Sequence, residues 1–137
     1  MRSMVFTTSL DKLEEVRTFL SEGLTEEYVG LKPSVDLILE ELLVNVVNHA
    51  YKGLPGPMEV SLLPVSFDGC PHLAIKIVDW GPPFDPFAEA PEPDLTLSLE
   101  EKSIGGLGIH LVRNLIAHSS YVRDRGANAV EVWLKRP

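Results

Sequence analysis

The chain of 137 residues has little cysteine, little positive charge and no long apolar run. Cys70 is its single cysteine, and one thiol makes neither an internal disulfide nor a cysteine-based zinc site. Lysine and arginine number 12 against 20 aspartates and glutamates, a net charge of −8. Duplex-DNA binders and anionic-membrane binders carry basic faces, so this balance speaks against both. The apolar stretches near Leu37 to Val47 and Leu73 to Val78 are too short or too interrupted to span a bilayer. The opening residues Met1 to Thr8 lack the apolar core of a secretory signal. These absences predict a soluble, reducing, intracellular setting, hence a cytoplasmic protein with no nucleic acid and no membrane among its partners. What is present, 45% hydrophobic and 23% charged residues, is the composition of a globular domain, and the length suits one domain over residues 1–137.

Periodicity organises the chain. Met4 to Thr8 is a short β-prone run. Asp11 to Leu24 has helical spacing, with Leu13, Val16, Phe19 and Leu20 on one side and Ser9 or Asp11 placed to cap its start. Pro33 to Tyr51 is the longest helical pattern; Val35, Leu39, Leu42, Leu43, Val46 and Ala50 form its apolar face, and the glycines and prolines of 52–57 stop it. Met58 to Phe67 and His72 to Asp79 read as strands joined by an Asp68-Gly69 hairpin turn. The second strand is apolar on both faces, which predicts a central position. From Gly81 to Gly108 the pattern dissolves, and five of the 11 prolines fall there; an irregular acidic stretch of this length is either a lid or a disordered insertion. Ile109 to His118 reads as a helix, and Tyr121 to Arg125 with Ala129 to Lys135 as a closing hairpin turning at Gly126-Ala127-Asn128. The order predicts an α+β domain with its helices on one sheet face.

Three constellations carry chemistry. Glu41, Asn45 and Asn48 share one face of the long helix. That face lies opposite the apolar one, where plain solvation is the ordinary reading, but two mid-helix asparagines are poor helix formers. An amide oxygen beside a carboxylate suits hydrated Mg²⁺ completed by phosphates. Asp79 closes an apolar strand and is followed by Trp80-Gly81-Pro82-Pro83-Phe84-Asp85-Pro86. A carboxylate there either caps a turn or meets a donor such as a ring amine, with Gly81 admitting a flat ligand to the backbone. Ile104-Gly105-Gly106-Leu107-Gly108-Ile109 opens the third helix; it is a hinge or a set of N–H groups for phosphate oxygens, and it matches neither the Walker nor the dinucleotide-binding spacing.

In this order the motifs resemble the histidine-kinase-like ATPase superfamily, also called the Bergerat or GHKL fold. Glu40-Glu41-Leu42-Leu43-Val44-Asn45, Asn48-His49-Ala50-Tyr51, Gly81-Pro82-Pro83-Phe84-Asp85-Pro86 and Gly105-Gly106-Leu107-Gly108-Ile109-His110-Leu111-Val112-Arg113 are similar to its anti-sigma-factor serine/threonine-protein kinase branch. The resemblance covers nearly the whole chain. It implies a two-layer α/β sandwich with a mixed, mostly antiparallel sheet, and an ATP lid at about 87–104. It implies ATP and Mg²⁺ as cofactors. Glu41 matches the general base or orienting acid, Asn45 the Mg²⁺ ligand, and Asp79 the acceptor of the adenine amino group. Gly81, Gly106, Leu107 and Gly108 match the nucleotide-contacting segments. Asn48 and His49 line the same helix as site wall, and Arg113 either faces the phosphates or faces solvent. The implied reaction is transfer of phosphate to a serine or threonine of an anti-sigma-factor antagonist (STAS-type) protein in a bacterial partner-switching system, with sequestration of a sigma factor or similar regulator and homodimer formation. The alternative is a nucleotide-dependent binding module without kinase activity. Two departures stand out. Pro83 replaces the second glycine common in the superfamily, and Gly126-Ala127-Asn128-Ala129 lacks the threonine that many relatives carry in the closing hairpin.

Overall fold

The computed structural model describes residues 2–52, 54–89 and 104–136. β1 (Ser3–Thr7) leads through a single 3₁₀ turn into α1 (Leu13–Ser21). No side chain caps α1; Lys12 occupies the cap position and donates its N–H to the Ser9 carbonyl. Neither Ser9 nor Asp11 serves as the cap expected from its side chain. α2 (Lys32–Asn45) follows with proline in its first turn, and the five residues after it, Val46–Ala50, continue it as a π-helical end. β2 (Pro57–Phe67) and β3 (Cys70–Asp79) form the expected hairpin. Asp68 and Gly69 have φ of 51° and 74°, the paired positive values of a two-residue turn that matches strand twist.

A short α3 (Pro86–Glu89) begins the irregular stretch; most of the expected lid, residues 90–103, lies outside the described residues. α4 runs Ile104–Leu115, so the glycine run is the first turns of the helix rather than a loop ahead of it. β4 (His118–Asp124) and β5 (Ala127–Lys135) close the chain. Their turn falls on Arg125 and Gly126, with φ of 52° and 81°. Ala127 and Asn128, expected in the turn, are therefore strand residues, and every side chain of β5 is assigned its face by that register.

The sheet order is β1-β2-β3-β5-β4 with β3 in the middle, as its two apolar faces predict. Among the described residues all four pairings are antiparallel, where the resemblance implies a mixed, mostly antiparallel sheet. One face carries Met58, Val60 and Leu62 of β2, Leu73, Ile75 and Ile77 of β3, and Val132 and Leu134 of β5. These pack with Val16 and Leu20 of α1, Ile38, Leu39 and Leu43 of α2, and Ile109 and Val112 of α4. Burying each such side chain contributes about 1.5–3 kcal/mol. Within that inward row, Asp79 follows Ile77 and Asn128 precedes Val130, and the two are register partners at one end of the sheet. Polar residues at the inward end of two apolar rows are what position the site.

Candidate functional site

α2 runs over that sheet end and brings Glu41 and Asn45 to it. Asn45 is 7% exposed, although the helix face it occupies was open to reading as a solvated one. The π-helical turn explains the rest of that face. Its ladder runs i to i−5, seen in the Tyr51 N–H bond to the Val46 carbonyl at 3.3 Å, so the residues after Asn45 rotate off the α-helical stripe. Asn48 and His49 become exposed while Ala50 is buried. The expected three-residue face Glu41, Asn45, Asn48 is thus split: the first two serve the sheet end and the third faces solvent.

Asp79 is 4% exposed. Its Oδ1 accepts the Gly81 N–H at 2.9 Å and the Asn128 Nδ2–H at 2.9 Å. Asn45 and Asp79 line one small cavity together with Leu42, Val46, Ile77 and Phe84. At about 10 Å³ it has room for no more than about one water. Phe84 helps close it, and its ring stacks on His49 with centroids 4.8 Å apart and planes 13° apart. A flat ligand entering here must displace that ring. Gly81 lies against α2's end: a Cβ on it would sit 2.6 Å from the Ala50 carbonyl oxygen. A Cβ on Gly108 would overlap the Glu41 carboxylate, so the glycine of α4 and the acid of α2 are in direct contact. Gly106 and Leu107 immediately precede Gly108 in the first turns of α4.

Burial, and secondarily the charge of Glu40, raises the Glu41 pKa above its ordinary 4.5. Tyr51 is raised as well, by burial first and by the Asp79 charge, against the lowering effect of the Trp80 N–H it accepts. Its hydroxyl donates to the Pro57 carbonyl, and a Cβ on Gly56 would collide with its ring. Tyr51 is therefore a strut between the end of α2 and the strand ends that carry Asp79.

The donor chemistry fits Mg²⁺ held jointly with phosphate. Asn45 Nδ2 is buried with no hydrogen-bond partner among the described residues, a state that costs about 1–3 kcal/mol. As an N–H donor it calls for an acceptor such as a phosphate oxygen, which leaves the amide's Oδ1 as the atom that could ligate Mg²⁺. Among the described residues no group of three or more histidine, cysteine, aspartate or glutamate side chains could hold a metal. An amide oxygen supplying one ligand to an ion that keeps waters and phosphates is the arrangement Mg²⁺ tolerates. The Arg113 guanidinium donates to the Phe87 carbonyl and lies 5.9 Å from the Phe87 ring centroid.

Residues outside the sequence-derived set complete the site. Asn128 is fully buried. Its Nδ2 also donates to the Pro82 carbonyl at 2.9 Å, and its Oδ1 accepts from the Tyr121 hydroxyl and from the Phe84 N–H at 3.3 Å. Arg123 donates to the Gly81 carbonyl at 2.6 Å. The signal for Asn128 was present in the alternation Asn128, Val130, Val132, Leu134, an amide at the head of an inward apolar row. Placing the turn one residue too late hid it.

The sequence model of the histidine kinase-like ATPase domain matches residues 6–134. A serine/threonine-protein kinase of Bordetella bronchiseptica, BtrW, is 32% identical over 99 residues, which cover 72% of this chain. The match spans 66% of that relative's own length, just under two thirds. Among the described residues no helix is long and apolar enough to cross a membrane.

Proposed function

We propose that this chain, which belongs to the histidine kinase-like ATPase domain family, is an ATP-binding protein serine/threonine kinase of the anti-sigma-factor type. In this reading it phosphorylates an anti-sigma-factor antagonist of STAS type within a bacterial partner-switching system and binds a sigma factor or similar regulator. The observation that carries the reading is a single sheet end where Asn45, with an unpartnered amide, and Asp79, with one carboxylate oxygen committed, line the same cavity. The naming of BtrW as a serine/threonine-protein kinase adds support.

Phosphoryl transfer asks the protein for positioning and charge neutralisation. Asp79 accepts the adenine amino group and Gly81 lets the ring approach the backbone. Gly106, in the first turn of α4, offers a free N–H to phosphate oxygens, while Leu107 and Gly108 continue the helix and Gly108 lets it lie against Glu41. Asn45 would hold Mg²⁺, which when bound neutralises phosphate charge. The acceptor oxygen attacks the γ-phosphorus as the bond to the β,γ-bridging oxygen breaks, and ADP leaves. Glu41 accepts or orients the hydroxyl proton. A carboxyl raised above its ordinary value is closer in proton affinity to that task than an exposed one.

The test is transfer of labelled γ-phosphate to a purified anti-sigma-factor antagonist carrying its acceptor serine. Transfer to that hydroxyl, lost in Glu41→Gln while ATP still binds, is expected. ATP binding without transfer to any hydroxyl favours the second reading, a nucleotide-dependent binding module, for which the missing hairpin threonine is the motivating observation.

A further inference from the structure

We infer that Asn128 is a positioning residue that sets purine selectivity by fixing which oxygen of Asp79 stays open to a base. The inference rests on the nucleotide-site reading above and deepens it.

The partners of Asn128 decide its amide orientation without reference to which atom was placed where. The Phe84 N–H can only donate, so the amide oxygen must face it. The Pro82 carbonyl can only accept, so the amide nitrogen must face that side, where Asp79 Oδ1 also lies. The Tyr121 hydroxyl, which can donate or accept, then donates to the amide oxygen. Asn128 thus holds a donor permanently on Oδ1 of Asp79, beside the Gly81 N–H. Among the described residues no protein donor reaches Oδ2. The carboxylate is left with one open oxygen, and that oxygen calls for a ligand N–H.

A 6-amino purine supplies one; a 6-oxo purine presents an acceptor and is disfavoured. With a shorter side chain at 128, the carboxylate loses its lateral restraint and can rotate or admit a water, so it no longer discriminates between the two bases. A threonine could not span these partners: it lacks the amide that donates and accepts in opposite directions. The same amide also ties the Pro82 to Phe84 turn to β5, so base recognition and the placement of the Phe84 ring over the cavity share one restraint.

The experiment is calorimetric titration of the full chain with ATP and with inosine triphosphate, both with Mg²⁺, for wild type, Asn128→Ala and Tyr121→Phe. Wild type is expected to prefer ATP by at least about tenfold, since a site built around a donor rejects the analogue lacking it. Asn128→Ala is expected to reduce that ratio at least fivefold, roughly, mainly through weaker ATP binding. Tyr121→Phe, a milder change on an edge strand, should reduce it about twofold to threefold. If Asn128→Ala does not fold, Tyr121→Phe decides alone. A wild type that discriminates while the folded variants keep its ratio overturns the role of Asn128 and leaves the site reading standing. A wild type that binds neither triphosphate, or both alike, overturns the site reading and this inference with it.

Discussion

Two asparagines are buried at the same end of the sheet, and they are opposites. Asn128, on β5, is enclosed completely and every direction of its amide meets a protein partner. Asn45, on α2, is nearly as buried, yet among the described residues its Nδ2 meets none. A saturated buried amide rigidifies what it touches; an unsaturated one is a standing cost kept only where something outside the chain completes it. The contrast separates the part of the site that is built from the part that waits for a ligand.

That contrast can be broken most severely at Asn128. Replacing it with alanine leaves the Pro82 carbonyl and one direction of Asp79 without their donor, and thermal unfolding should show a loss of about 2–4 kcal/mol. Next in size is Gly108→Ala, whose methyl meets the Glu41 carboxylate. Phosphate transfer should fall about a hundredfold through displacement of that group, read as lower kcat with ATP affinity largely retained. Asn45→Ala sharpens the comparison from the other side. It removes no protein hydrogen bond from Nδ2, so the unliganded chain should change in stability by less than about 1 kcal/mol, while the Mg²⁺-dependent part of ATP binding disappears.

The smallest expected effect is electrostatic. Glu41 has a raised pKa, so the deprotonated form that takes part in transfer appears at higher pH than for an ordinary carboxylate, and the acid limb of the rate profile should lie above pH 4.5. Glu40→Gln removes the secondary cause and should move that limb to lower pH without abolishing the shift, because burial is the larger cause. The same sign governs folding. The folded chain holds that proton more tightly than the unfolded one, so Glu41's contribution to stability declines as pH rises through the window above 4.5.

Much of this arrangement was legible from residue pattern. The central strand announced itself by being apolar on both faces, and the Asp68-Gly69 turn by its residue types. Asn45 and Asp79 line one cavity at the sheet end, Gly81 donates to Asp79, and Gly108 lies against Glu41. What escaped the pattern has physical causes. Helical periodicity assumes 3.6 residues per turn, and the π-helical end of α2 breaks that assumption just where Asn48 and His49 are assigned a face. A two-residue turn at Arg125-Gly126 instead of Gly126-Ala127-Asn128 moves Asn128 from a loop into an inward strand position. The Phe84–His49 stack and the Tyr51 strut join segments far apart in sequence, and no local pattern encodes such contacts.

The central claim is that the unpartnered amide of Asn45 and the open carboxylate oxygen of Asp79 form one Mg²⁺–ATP site. The most direct measurement is the shift in melting temperature produced by ATP, with and without Mg²⁺, in wild type, Asn45→Ala and Asp79→Asn. At about a hundredfold excess over Kd, ligand binding adds about 2.7 kcal/mol to stability. The account predicts that shift in wild type with Mg²⁺, a much smaller one without it, only the smaller one under both conditions in Asn45→Ala, and none in Asp79→Asn. An ATP shift that is the same in all three proteins, or absent from wild type, would contradict it.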